Sequence, residues 1–183
     1  MAQPYPDSLS FDKIILEVKG DLNGDTIPDS VVVSQDTLDN AAPYCLQIFL
    51  IEPTGKPQLI VSTTSAIVPQ YPNGKSEYAE GNDFDTVTIK SRVISIRQLL
   101  TRGYYIHKYR YQHGNFELIG FTSASCDGSS TCTDIDFNLS TGVRIERQTL
   151  ISEDKPFSSK KRIVKIRPLP LLQDVVPFSS EYY

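Results

Sequence analysis

The sequence predicts a mainly β protein, an antiparallel meander or curled sheet built of successive hairpins with few or no long helices. Three observations predict it. Apolar residues recur at every second position along most of the chain, the period of a half-buried strand. Clusters of Gly, Pro, Asn, Asp and Ser separate these runs at short intervals. Three of the turns also yield a self-consistent cross-strand register.

The candidate strands, in order, are Lys13–Val18, Ser30–Ser34, Tyr44–Ile51, Gln58–Ser62, Thr86–Lys90, Val93–Leu99, Tyr104–Gln112, Phe116–Thr122, Thr133–Leu139, Val143–Thr149 and Arg162–Arg167. Ser91-Arg92 forms a turn that places Ile89 opposite Ile94 and Val87 opposite Ile96. His113-Gly114 sets Tyr111 against Phe116, Tyr109 against Leu118, and Arg110 against Glu117. Two apolar pairs then share one face and an opposite-charge pair lies on the other. Ser140-Thr-Gly142 is expected to pair Leu139 with Val143 and Phe137 with Ile145. Pro69–Asp85 and Ser152–Lys161 read as irregular segments, and Pro168–Tyr183 as a surface tail docked through Leu171, Leu172, Val175 and Phe178.

A chain of 183 residues has room for one ordinary core. The expected organisation is one domain over 1–183: an Asp-loop segment at 13–34, a hairpin sheet at 44–150, and a C-terminal strand and docking tail at 162–183. The net charge of −4 argues against a broad nucleic-acid surface, which needs a cationic excess. No apolar run approaches the roughly 20 residues of a membrane helix, so no transmembrane segment is expected. Met1-Ala2-Gln3 reads as a start placed after a removed export signal, which points to a periplasmic or secreted protein. Cys126 and Cys132 bracket a short polar turn, where a disulfide would close a loop of about seven residues and contribute roughly 2 kcal/mol. Such a bridge belongs to an oxidising compartment and leaves Cys45 as a buried thiol. The alternative is two thiols on a hairpin.

The strongest chemical signal is Asp21-Leu-Asn-Gly-Asp-Thr-Ile-Pro-Asp29. Calcium takes six to eight hard oxygen ligands, supplied at alternating positions of a tight loop. Asp21, Asn23 and Asp25 stand at the first, third and fifth positions, Ile27 offers its backbone carbonyl at the seventh, and Asp29 a carboxylate at the ninth. Val32 occupies the twelfth position, where an EF-hand needs a bidentate Glu, and a β-rich run follows instead of a helix. Ca2+ is therefore the expected cofactor, in a strand-loop-strand site. The competing reading is an Asp/Asn-rich turn that caps its own backbone.

The run Gly20–Val33 resembles the calcium loops of FG-GAP and VCBS-type repeats. Together with Arg110-Tyr-Gln-His-Gly-Asn-Phe-Glu-Leu-Ile-Gly120 and Asn138-Leu-Ser-Thr-Gly142, it also resembles a group of exported bacterial β proteins. The resemblance spans most of residues 15–147 and implies export and a β fold, but no activity. A propeller is not expected, because the loop occurs once. Loops of this kind carry Gly at the sixth position. Thr26 stands there instead, and a β-branched residue resists positive φ.

Other constellations are weaker. The two histidines, His107 and His113, read as packing or surface residues with no zinc or triad motif around them. Glu77, Glu80, Asp83 and Asp85 form an acidic loop that suits partner binding, or the paired acids of an envelope hydrolase. Tyr105, Tyr109 and Tyr111 share a face with Phe116 and Leu118 and read as core, which leaves Tyr104 as the surface candidate. The basic stretch Lys155–Arg167 reads as the solvent face of a strand. The expected function is a non-enzymatic, calcium-stabilised binding module with a protein or ligand partner. The alternatives are a periplasmic immunity protein that neutralises a cationic toxin or effector, and the hydrolase.

Overall fold

The computed structural model describes residues 10–76, 81, 84–153 and 155–177. Glu77, Glu80, Asp83 and Phe178 lie outside the described residues. The strands are β1 (Lys13–Gly20), β2 (Asp29–Gln35), β3 (Tyr44–Ile51), β4 (Pro57–Thr63), β5 (Phe84–Lys90), β6 (Val93–Leu100), β7 (Gly103–Gln112), β8 (Asn115–Cys126), β9 (Thr131–Asn138), β10 (Val143–Leu150) and β11 (Pro156–Ile163). A 3-10 turn at Leu172–Asp174 is the only helical element among the described residues. Among the described residues every strand pairs antiparallel with a sequence neighbour, giving a four-stranded sheet β1-β2-β3-β4 and a seven-stranded sheet β11 through β5. The expected antiparallel β fold is thus present. Its hairpin sheet is divided, however, because the long link between β4 and β5 starts a second sheet.

The two sheets share one core. Leu22, Val31, Val33, Leu46 and Ile48 from the small sheet and its first loop meet Ile94, Ile96, Tyr109, Phe116, Leu118, Phe121 and Phe137 from the large one. Where β1 meets β5 the approach is close: a Cβ on Gly20 would lie 2.8 Å from Ile89 Cγ2. A side chain here would need Ile89 to move.

Two hairpins have the register expected of them. Tyr111 faces Phe116, Tyr109 faces Leu118 and Arg110 faces Glu117. Ile89 faces Ile94 and Val87 faces Ile96. Their turns use positive φ at both central positions, 51° and 62° at Ser91-Arg92 and 53° and 77° at His113-Gly114. This is the twist that matches a hairpin, reached at Ser91-Arg92 without glycine.

The third hairpin corrects the expectation by one residue. Val143 faces Asn138, Phe137 faces Arg144, and Ile145 faces Asp136. Leu139 leaves the strand, turns inward and is fully buried, so the turn holds four residues rather than three. The slip puts Arg144 on the inner face beside Phe137, where it is 6% exposed and donates to Glu146 at 2.7 Å.

The last strand is also corrected. It spans Pro156–Ile163, not Arg162–Arg167, and occupies the edge of the large sheet against β10. An edge strand exposed on both faces has no apolar alternation to announce it. The alternation at Ile163–Ile166 has another cause: after Val164 N donates to Gly142 O, Val164 and Ile166 pack on the core as extended chain. Arg167 then donates to Leu139 O at 3.0 Å and Ser140 O at 2.6 Å, capping the turn that Leu139 opened.

The tail docks as expected. Leu172 and Val175 are fully buried, and Leu118 N donates to Pro170 O. Tyr105 and Tyr109 are core, while Tyr111 is half-buried beside it.

Candidate functional site

The Asp-rich loop joins β1 to β2. Its polar side chains turn back onto its own backbone. Asp21 accepts from Gly24 N at 2.6 Å and Thr26 N at 3.2 Å. Asn23 Oδ1 accepts from Asp25 N at 2.9 Å, and Asp25 Oδ1 from Ile27 N at 2.8 Å. Asn23 Nδ2 donates to Asp25 Oδ2 at 2.9 Å. Asx turns thus follow one another around the loop. Asp29 behaves differently. It is fully buried, and its two oxygens accept from Leu22 N at 2.8 Å and Ile51 N at 2.9 Å, tying the loop to the end of β3.

Thr26 takes a φ of 71°, left-handed backbone that costs a β-branched residue of order 1–3 kcal/mol. Gly24 also has positive φ, and a Cβ there would lie 2.6 Å from Arg92 Nη1. The guanidinium from the β5–β6 turn therefore rests against the loop.

Asp21, Asn23 and Asp25 offer the alternating oxygens that calcium requires, and each oxygen that caps an N–H keeps a second lone pair. Among the described residues no three His, Cys, Asp or Glu side chains converge as a metal-holding group. A resident ion would therefore draw on Asn23 and the Ile27 carbonyl as well as Asp21 and Asp25.

The second candidate surface is the outward face of the large sheet. Asp85 bonds Arg97 at 3.0 Å, and the Arg97 guanidinium lies 4.5 Å from the centre of the Tyr104 ring. The structure thus brings together Asp85 and Tyr104 through a third residue. Tyr104 borders a hollow of about 380 Å³ lined also by Lys108, Thr122, Asp134, Asp136 and Arg147.

No family model, no curated protein and no solved structure matches this chain.

Cys126 and Cys132 form a disulfide across the β8–β9 turn, and Cys45 is buried outside it. Asp127 caps this turn. The backbone N–H of Thr131, followed by those of Ser129 and Ser130, lowers its carboxyl to about 2. His113 lies in its turn, 3.1 Å from Glu117. His107 is fully buried between Tyr105, Tyr109 and Phe121.

Sequence reasoning missed the role of Arg97 and the hollow beside Tyr104. One signal was present. Gly120, Thr122 and Ala124 alternate along β8 with no large outward side chain, which marks a trough once the neighbouring strands are in register.

Proposed function

We propose that this chain is a non-enzymatic, exported β domain, stapled by calcium at Asp21–Asp29, whose role is to bind a protein or other ligand. The observation that carries it is the ladder of Asx turns at Asp21, Asn23 and Asp25, anchored through buried Asp29 to β3. These turns hold the loop in a tight path with Asp21, Asn23 and Asp25 at alternating positions, the spacing that a calcium loop uses. Binding there adds stability because the unfolded chain has no such site. The resemblance to FG-GAP and VCBS-type loops supports the same reading.

Export is supported by the disulfide, which suits an oxidising compartment. No helix among the described residues is long and apolar enough to cross a membrane. A binding role is supported by a hollow of about 480 Å³ beside the loop, where Pro28, Val32, Phe49, Ile51 and Pro57 form an apolar floor at the outer face of the small sheet.

Thermal unfolding in calcium and in chelator tests the staple. Saturating calcium should raise Tm by roughly 5–10 °C, from about 2.7 kcal/mol at a hundredfold excess over Kd. The rise should vanish in Asp21→Ala. Equal Tm values in both buffers would leave only a self-capped turn.

A further inference from the structure

On β8, Gly120, Thr122 and Ala124 lie on the outer face and none carries a large side chain; Gly120 is buried beneath the stem of Lys108, where a Cβ would lie 3.4 Å from Lys108 Cδ. The flanking strands are taller: Tyr104 and Ile106 stand on β7 and Asp134 and Asp136 on β9, while Lys108 of β7 leans over Gly120 and closes that end. The result is a trough along the middle of the large sheet. The hollow of about 380 Å³ continues into a second of about 140 Å³, with Lys108, Thr122 and Asp136 common to both. From Gly120 to Ala124 the trough is about 13 Å long at a strand rise of about 3.3 Å per residue.

A β-bulge builds it. The register shifts between Lys108 and Tyr109, whose partners are Gly120 and Leu118, so Ile119 is the extra residue. That extra residue lets both Leu118 and Phe121 face the core while Gly120, buried under Lys108, and half-buried Thr122 lie on the opposite face. Bulges re-aim side chains in this way at binding sites.

The lining is chemically mixed. Lys108 and Arg147 bring two positive charges, and Asp134 and Asp136 two negative ones, so the trough has no net sign. Among the described residues, none of these four side chains is ion-paired or hydrogen-bonded to another. Their donors and acceptors are left for a ligand. Tyr104 stands at one end as an aromatic wall, held by Arg97, which is in turn held by Asp85.

We propose that this trough binds a neutral saccharide. A sugar hydroxyl both donates and accepts, so it uses carboxylates and cations alike, and it needs no net charge in the site. A sugar ring presents an apolar C–H face, the match for a tyrosine wall. An anionic or cationic ligand would meet a like-charged pair as well as an opposite one. The length of the trough suits a short oligosaccharide lying along β8. The inference rests on the binding role proposed above and names its ligand class, and it does not require calcium.

The test is an amide-resolved NMR titration of the full chain with maltotriose, cellotriose and chitotriose in turn. At least one should give saturable shifts centred on Tyr104, Thr122 and Asp136, with a Kd at or below about 1 mM. Tyr104→Ala and Asp136→Asn should each weaken that binding about tenfold or more. Asp136→Asn, a nearly isosteric change at an exposed position of β9, keeps the test valid should the tyrosine variant fail to fold. No shift with any of the three sugars at about 10 mM would overturn the proposal. So would shifts centred elsewhere, unchanged affinity in both variants, or equal perturbation of the trough by citrate or spermidine. A calcium-dependent Tm with a silent trough overturns this inference alone. Saccharide binding with a Tm indifferent to calcium overturns the calcium staple alone.

Discussion

His107 faces Ile96 and Phe121 across the inner surface of the large sheet and has no exposed surface. Burial there disfavours the imidazolium and pushes the ring down from 6.5 to about 4. The sign of the consequence follows from proton counting. Between those two values the unfolded chain binds a proton that the native state does not. Stability is therefore complete above about pH 6.5 and falls as the pH drops towards 4, with a slope of up to about 1.4 kcal/mol per pH unit. Urea unfolding of wild type and His107→Leu at several pH values between 4 and 7 isolates this contribution. Above about pH 5 the variant should lose the slope, whatever its stability at neutral pH, while below it carboxyls held low in the native state, Glu117 and Glu146 among them, keep a slope in both proteins. Parallel pH profiles for the two proteins would show that another group sets the acid limit. The carboxyl of Asp127, held at about 2 by its N–H partners, Thr131 N–H foremost, adds its own loss only as the pH falls towards its ordinary value of 3.8, at the acid edge of this window.

At the scale of elements, turns made the fold legible wherever two short runs of alternating residues flanked them. The hairpins at Ser91-Arg92 and His113-Gly114 were readable to the residue, since only one register matches apolar to apolar on one face. Leu139 defeated the same logic because a turn residue took a core position, a tertiary contact with no local signal. β11 was displaced because nearly every side chain lies in water and its side-chain tie to β10, Arg162 to Glu146 at 3.6 Å, is a charge pair that leaves no apolar alternation. The candidate loop was legible as a donor pattern, while the cation resting on it was not, because Arg92 arrives from the other sheet. That contact has a consequence for calcium. An ion held by Asp21 and Asp25 would sit near the Arg92 guanidinium, and a divalent ion and a guanidinium roughly 8 Å apart in water repel by about 1 kcal/mol. Arg92→Gln should therefore strengthen calcium binding several-fold by calorimetry, with the gain shrinking at high salt. Unchanged or weakened affinity would mean that Arg92 holds the loop together rather than opposing the ion.

Across the whole molecule, the sheets are joined at one side by the close approach of Gly20 to Ile89, and elsewhere by the tail. Leu171 forms an isolated bridge with Glu117 of β8, and Ser65, just beyond β4, donates to Gln173 O at 2.9 Å. Leu172 lies between these two ties and is fully buried. The tail therefore spans β8 and the end of β4 and fills the space that would otherwise open between the sheets. Removing its side chain should act on the entire fold. Leu172→Ala should destabilise by about 2–5 kcal/mol, the loss of a buried leucine plus the cavity it leaves. Because both sheets lean on the same residue, urea unfolding followed by far-ultraviolet circular dichroism and by tyrosine fluorescence should shift together to a lower midpoint. A change below about 1 kcal/mol, or two transitions that separate, would mean that the tail is an appendage and that each sheet is stable without it.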